Sequence, residues 1–306
     1  MINRVLIRIK AVQLIYSFLI SQNKTVDKAE KEFFFSLEKS YELYFYLLQL
    51  IVDLTDYMQD RLTRRGILSK KIMTNRFVEN QLAAELSQNV QISKFVADKK
   101  ISWKDFPETL RDLANMVLKS EEYIEYINSS EEPSLDSDKE FWRKIMKKVI
   151  LPSEVLQNQL EEICIYWNDD LEIISGFFLK TIKRYDPEHP EAAIIPMFKD
   201  KEDEDYARTL FVKTVENGLE YEKLVESHIK NWDLERVAQM DMAIMQMAIS
   251  ELLNFPNIPV TVTLNEYIEI AKAYSTEKSS VFINGTLDAI VNTLQKENKL
   301  LKVVRL

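Results

Sequence analysis

Apolar residues recur at three- and four-residue steps along almost the whole chain, the spacing that puts them on one side of an α-helix. Val5, Ile9, Val12 and Tyr16 predict a helix over 3–20, and Phe33, Leu37, Tyr41, Tyr44, Leu48 and Ile51 a long one over 27–65. Thr25 or Asp27 is placed to cap the second helix and Gly66 to end it. Shorter helices are expected over 76–98, 105–127, 138–150, 153–166 and 168–184, with breaks at 128–134 and at Leu151-Pro152-Ser153. The stretch 186–205 holds Pro187, Pro190 and Pro196 and then the run Glu202-Asp203-Glu204-Asp205, which reads as a solvated linker. Helical spacing returns over 206–229, 234–254, 262–274 and 277–296. Residues 259–264 are strand-like in type but lie too close to a helix start, so the fold class expected is all-α.

Composition narrows the chemistry. The chain has 306 residues, of which 46% are hydrophobic and 29% charged, a balance that supports a buried core. Only 4 glycines occur, scattered at 66, 176, 218 and 285, so no Gly-rich phosphate loop can be written and P-loop and ordinary dinucleotide-binding enzymes are excluded. Two histidines and one cysteine cannot build a Cys/His zinc site of the usual four-ligand kind, and no intrachain disulfide is possible. Cys164, in Ile163-Cys164-Ile165-Tyr166-Trp167, reads as a small buried hydrophobe. Neither histidine has a nucleophile and an orienting partner beside it, so neither catalysis nor a cofactor or metal is expected. The apolar runs fall well short of the roughly 20 residues that span a bilayer, so a cytoplasmic protein with no membrane contact is expected.

The net charge of −9 argues against coating nucleic acid by bulk charge, but it leaves room for a local basic face. Residues 1–24 hold Arg4, Arg8, Lys10 and Lys24 and no acid. Two further basic clusters stand out: Arg61, Arg64, Arg65, Lys70, Lys71 and Arg76 around Gly66, and Lys296, Lys299, Lys302 and Arg305 in the tail. Both are placed to decorate helix C-termini, where cations oppose the dipole, and both could extend a nucleic-acid track.

Two separated pieces carry a likeness. One is Arg8-Ile9-Lys10-Ala11-Val12-Gln13-Leu14-Ile15-Tyr16-Ser17-Phe18. The other runs from Trp232-Asp233-Leu234-Glu235-Arg236 through Met240-Asp241-Met242-Ala243-Ile244-Met245, Glu251-Leu252-Leu253 and Leu264-Asn265-Glu266-Tyr267, and closes on Ser279 and Phe282-Ile283-Asn284-Gly285-Thr286-Leu287-Asp288. In order and spacing these resemble the NusB family of transcription antitermination factors. The likeness divides the chain into an N-terminal helix over 1–24, a helical insertion over 25–204 ending in the Pro-rich acidic stretch, and a C-terminal helical part over 205–306. It implies a non-enzymatic, all-helical RNA-binding protein. Its expected partners are single-stranded boxA-like RNA, the small-subunit ribosomal protein NusE, and the RNA polymerase antitermination complex. A scaffold of the same fold that has lost specific RNA binding is the alternative; an RNA methyltransferase appendage would need a cofactor domain for which the glycines leave no room.

The RNA-facing residues expected from this likeness are Arg4, Arg8, Lys10, Gln13, Tyr16, Lys278 and Phe282. On a helix Arg4, Arg8, Ala11 and Ile15 share a face, while Ile9, Val12 and Tyr16 point elsewhere into a core. Two arginine forks one turn apart suit phosphate oxygens, and they equally suit a solvated face. Reading single-stranded RNA also needs stacking planes and polar edges, for which Tyr16, Gln13 and Phe282 are the candidates. Gly285 is expected to mark a close helix approach. Departures from the family pattern are Val5-Leu6-Ile7 where several basic residues are common, Gln246 where Arg is frequent, and Lys278 where an acid is common.

Overall fold

The computed structural model describes residues 1–21, 25–69, 76–77, 79–229, 237–300 and 302, except for the side chains of 62–69. The segments at Lys24, Lys70–Lys71, Trp232–Arg236 and Arg305, and the side chains of Arg64 and Arg65, lie outside the described residues. No β-strand occurs among the described residues, in keeping with the all-α expectation. The chain divides into a middle unit, Met1 with Glu38–Met197, and a terminal unit, Ile2–Leu37 with Phe198–Leu306.

The terminal unit is built around one helix that is apolar on every side. It contains α1 (Arg4–Ile20), the start of α2 (Val26–Ser69), α11 (Lys201–Glu216), α12 (Gly218–Glu226), α13 (Gln239–Asn254), α14 (Val260–Tyr274) and α15 (Ser279–Lys296). Every residue of α13 from Asp241 to Leu252 is buried, because α1, α11, α12, α14 and α15 all pack against it. A helix hydrophobic all round requires such a central place. α1 is almost as fully enclosed, with Leu6, Ile7, Ala11, Val12, Leu14 and Ile15 buried; Asn3 caps it by accepting from the Leu6 amide at 2.9 Å.

The middle unit takes the rest of α2 together with α3 (Gln81–Gln88), α4 (Val90–Lys99), α5 (Pro107–Lys119), α6 (Glu121–Ile127), α7 (Leu135–Ile145), α8 (Glu154–Ile163), α9 (Leu171–Arg184) and α10 (Pro190–Ala193). α7 runs on into a π-helical turn, Met146–Ile150, and a 3₁₀ turn covers Ile165–Trp167. Its core is aromatic: Tyr44, Phe45, Phe77, Trp103, Trp142 and Phe178 are fully enclosed. The aromatic-rich start of the long helix is thus packing, as for the stacked pair Phe33 and Phe211 at 4.5 Å in the terminal unit.

The structure corrects several expectations. First, the stretch 186–205 is not a solvated linker. Ala193 and Ile194 are buried, the Tyr41 hydroxyl donates to the Ile195 carbonyl at 3.1 Å, and the Ile195 amide donates to the Tyr44 hydroxyl at 3.3 Å. The acidic run is the first turn of α11, capped by Asp200, where negative charge meets the positive end of the helix dipole. Second, Cys164 ends α8 half-exposed and is not a core residue. Third, the helix expected over 76–98 is two helices divided at Asn89, which caps the second by accepting from the Gln91 and Ile92 amides.

Candidate RNA-facing surface of the terminal unit

α1 carries charges that its apolar surroundings force into pairs. Arg8 is 3% exposed and grips Glu251, itself 0% exposed, with two parallel hydrogen bonds: Nε to Oε2 at 2.8 Å and Nη2 to Oε1 at 3.0 Å. Its third nitrogen, Nη1, donates to Glu266 at 3.2 Å. Glu251 also accepts from the Tyr206 hydroxyl, from Thr263 Oγ1 at 2.8 Å and from the Tyr267 hydroxyl at 3.4 Å. The hub therefore links α1, α11, α13 and α14 through one buried carboxylate. Burial alone would depress the Arg8 guanidinium, but Glu251 outweighs it and holds Arg8 above its ordinary value. Burial, reinforced by Glu251, pushes both tyrosine hydroxyls well up, so they stay protonated donors.

Arg4 stands one turn earlier with its side chain 34% exposed. Its Nη2 meets Glu202 at 2.7 Å and its Nε meets Asp203 at 3.1 Å, while its guanidinium lies 4.9 Å from the centre of the Tyr206 ring. The acidic first turn of α11 thus covers the outer arginine as Glu251 covers the inner one. Lys10 is only 1% exposed.

These placements correct the reading of α1. Arg8, Ala11 and Ile15 lie inside and Ile9 and Tyr16 are half-exposed, the reverse of the expected facing, while Val12 is buried as expected; Arg8 and Lys10 offer no open basic face. Gln13 and Tyr16 are half-buried on the outer side of α1, in line with the exposed Val5 and Ile20. Lys278 and Phe282 lie on a different element, the first turn of α15: Lys278 is exposed, and Phe282 is half-buried beside the exposed Val281. The structure brings Arg4 and Arg8 together over the Tyr206 ring.

The rest of the sequence pattern is structural. Asp241, buried at the start of α13, accepts from Ser275 and from Ser279 at 2.9 Å, which ties the α14–α15 corner to the central helix. Gln246, where the family often has Arg, donates to the Gly218 carbonyl at 3.1 Å. His228 bridges Thr293 on α15 at 2.8 Å and the end of α12. Gly285 is a correction: it is exposed, and a Cβ there would meet nothing within 4 Å, so no helix approaches it closely. Glu251, Tyr206 and Tyr267 were not among the expected site residues. One signal pointed to the first: Glu251 is the lone charge in the apolar run 242–254, as Arg8 and Lys10 are in 5–20, so opposite charges stranded in two enclosed helices must meet. Among the described residues no group of three or more His, Cys, Asp or Glu is placed to hold a metal, and no helix is long and apolar enough to cross a membrane.

A central apolar helix wrapped by five others, with a closing Asn-Gly helix pinned to it through Asp241, defines a particular kind of helical domain. The model of the NusB family matches residues 179–292, which leaves 1–24 outside the matched span. The transcription antitermination protein NusB of Salinibacter ruber is 39% identical over 111 residues, 36% of this chain and 69% of its own length. Those of Natranaerobius thermophilus and Koribacter versatilis are 40% and 37% identical, covering 30% and 37% of this chain and 66% and 78% of their own lengths. A solved structure of T. maritima NusB is 33% identical, covers 38% of this chain and 82% of its own, and superposes with a TM-score of 0.30. The chain belongs to the NusB family.

Proposed function

We propose that the chain is a transcription antitermination protein that binds single-stranded boxA-like RNA jointly with the small-subunit ribosomal protein NusE, within the RNA polymerase antitermination complex of the cytoplasm. It performs no catalytic step and needs no cofactor. The observation that carries this reading is the family match over 179–292, which falls largely on the self-contained terminal unit. In this reading Lys278 and Phe282 supply a charge and a stacking plane on α15, and Gln13 and Tyr16 a polar edge and a second ring on α1. Arg4 reaches phosphate by exchanging Glu202 and Asp203 for it, while Arg8 and Lys10 act from inside, by holding α1 in place.

The scaffold reading has one observation in its favour: the cations of α1 are largely consumed by the fold. A titration of the protein against boxA-like and scrambled RNA, with and without the ribosomal protein and at two salt concentrations, separates the two. Preference for boxA that tightens with the partner and weakens in Lys278→Glu/Phe282→Ala supports the RNA reading. Partner binding with no RNA preference leaves the scaffold.

A further inference from the structure

The middle unit carries cations that, unlike those of α1, are not consumed. Lys147 on the π-helical turn and Lys180, Lys183 and Arg184 in the last turns of α9 are all exposed, and no ion pair among the described residues takes them up. The two elements are neighbours and run antiparallel. Lys139 Nζ near the start of α7 donates to the carbonyl of Tyr185 at 3.2 Å, whereas Lys147 at the far end shares a cavity with Ser175 and Leu179 of α9. Helical phase puts Lys180 and Lys183 on the side of α9 away from its buried Ile174, Phe178 and Ile182. Gly176 lies on that same outer side, and a Cβ there would meet nothing within 4 Å, so another backbone can lie close against the helix.

Acids are present beside these cations and sort what can bind. Glu140 pairs with Arg143 at 2.6 Å and Asp136 with Lys139 at 2.6 Å, so neither opposes the four free cations. Glu161 and Glu172 instead line the adjoining cavity of about 510 Å³, together with the polar edges of Gln157, Asn168 and Ser175. With two carboxylates set against the single cation Lys147 at its wall, the cavity disfavours a phosphate and suits an uncharged group with hydrogen-bonding edges, while Lys180, Lys183 and Arg184 outside it attract phosphate. A chain that alternates anionic linkers with uncharged, edge-bearing groups is a single-stranded nucleic acid.

The geometry points to a second RNA-binding face on the middle unit, in which Lys147, Lys180, Lys183 and Arg184 hold backbone phosphates and the adjoining cavity receives a base. This rests on the RNA reading above and extends it to the middle unit, of which the family match covers only residues 179–197. The test compares a short boxA-like RNA with the same RNA extended at either end, using the full chain and the charge reversal Lys147→Glu/Lys180→Glu/Lys183→Glu. For the wild type the extended RNA should bind at least tenfold tighter than the short one. The reversal should abolish that gain and leave the short RNA unchanged. The salt slope for the extended RNA should fall by about two, since each lost single-strand contact removes about 0.7.

Several results would overturn the inference. An extended RNA no tighter than the short one for the wild type does so while leaving the boxA reading intact. Binding of neither RNA sinks both. Equal weakening of both RNAs, or of neither, removes the second face. Lys144→Glu, at a cation that lines a separate cavity with Glu122 and Glu125, is the control and should change nothing. If the triple variant loses its helical circular dichroism, Lys183→Glu alone should still lower the salt slope for the extended RNA by about 0.7. Binding to anionic phospholipid vesicles that the reversal abolishes, with RNA affinity unmoved, would assign the face to a membrane surface instead.

Discussion

Glu251 in the terminal unit and Asp138 in the middle unit are both carboxylates withdrawn from water, at 0% and 2% exposure, but their partners differ in kind. Glu251 meets a guanidinium with both oxygens, so its charge is matched by one of opposite sign at hydrogen-bond distance. Asp138 accepts from two neutral donors, the Tyr126 hydroxyl and the Gln81 amide at 2.7 Å. Burial therefore holds the Asp138 carboxyl above its ordinary value, with the hydrogen bonds from Tyr126 and Gln81 and the charge of Arg76 only partly offsetting it. A buried carboxylate thus acts as a charged tie where a cation hydrogen-bonds it directly, and as a polar acceptor under strain from desolvation where, as with Arg76 and Asp138, the nearby cation makes no ion pair with it. Neither arrangement belongs to one unit: Asp241 of the terminal unit accepts from two neutral hydroxyls, and Glu42 of the middle unit meets Lys39 at 2.6 Å.

The largest effect expected comes from breaking the first arrangement. Arg8→Ala should destabilise the protein by about 3–5 kcal/mol in denaturant unfolding, because it leaves Glu251 buried and unpaired. Arg8→Met combined with Glu251→Leu should cost less than the sum of the two single changes, although Tyr206, Thr263 and Tyr267 lose their shared acceptor in it. Additive losses in that cycle would show that the hub is not a coupled unit. Asp241→Ala comes next: the Ser275 and Ser279 hydroxyls lose their shared acceptor, for about 1–3 kcal/mol read as a lowered melting temperature. An unshifted melt would mean that the α14–α15 corner is held by packing alone.

The Arg8–Glu251 tie has no signature in the local pattern of the chain. The helices themselves were legible, because Phe33, Leu37, Tyr41 and Tyr44 on α2, or Leu110, Leu113 and Val117 on α5, keep helical spacing with polar residues between them. α1 and α13 have no polar side, so their periodicity cannot say which face is outward, and Arg4 and Arg8, which helical spacing places on one face, lie at different depths. The partner of Arg8 lies 243 residues along the chain, a separation no local pattern spans. The acidic run at 202–205 misled for a related reason: a string of carboxylates looks solvated, yet Asp200 capping and the helix dipole make it a good first turn of α11. The closing block over 279–288 was legible as a family signature, but the role of its Ser279, tied to Asp241 from α13, emerges only when the two helices meet.

A pH measurement sharpens the contrast from the other side. An acid whose folded pKa is raised keeps its proton in the fold at pH values where the unfolded chain has lost it. The contribution of Asp138 is then fully present below the ordinary aspartate value near ~3.9 and is lost as pH rises through its raised folded value. Asp138→Asn should flatten that part of the stability–pH curve, measured as the difference in denaturant midpoint between wild type and variant. Parallel curves would show that Asp138 is not the group responsible.

Arg4 is where the smallest stability effect and the most telling functional one are expected together. It lies on the same helix as Arg8 and over the same Tyr206 ring, yet its partners Glu202 and Asp203 sit at the edge of the unit, with Glu202 77% exposed. Solvent and salt screen such a pair, so Arg4→Gln should cost only about 0–1 kcal/mol. Under the RNA reading the same change removes a phosphate contact and lowers affinity, most at low salt. Glu202→Gln/Asp203→Asn, which frees Arg4 without removing it, should do the opposite and tighten RNA binding. If both variants leave RNA affinity where it was, Arg4 is as structural as Arg8, and α1 contributes no cation to any RNA surface.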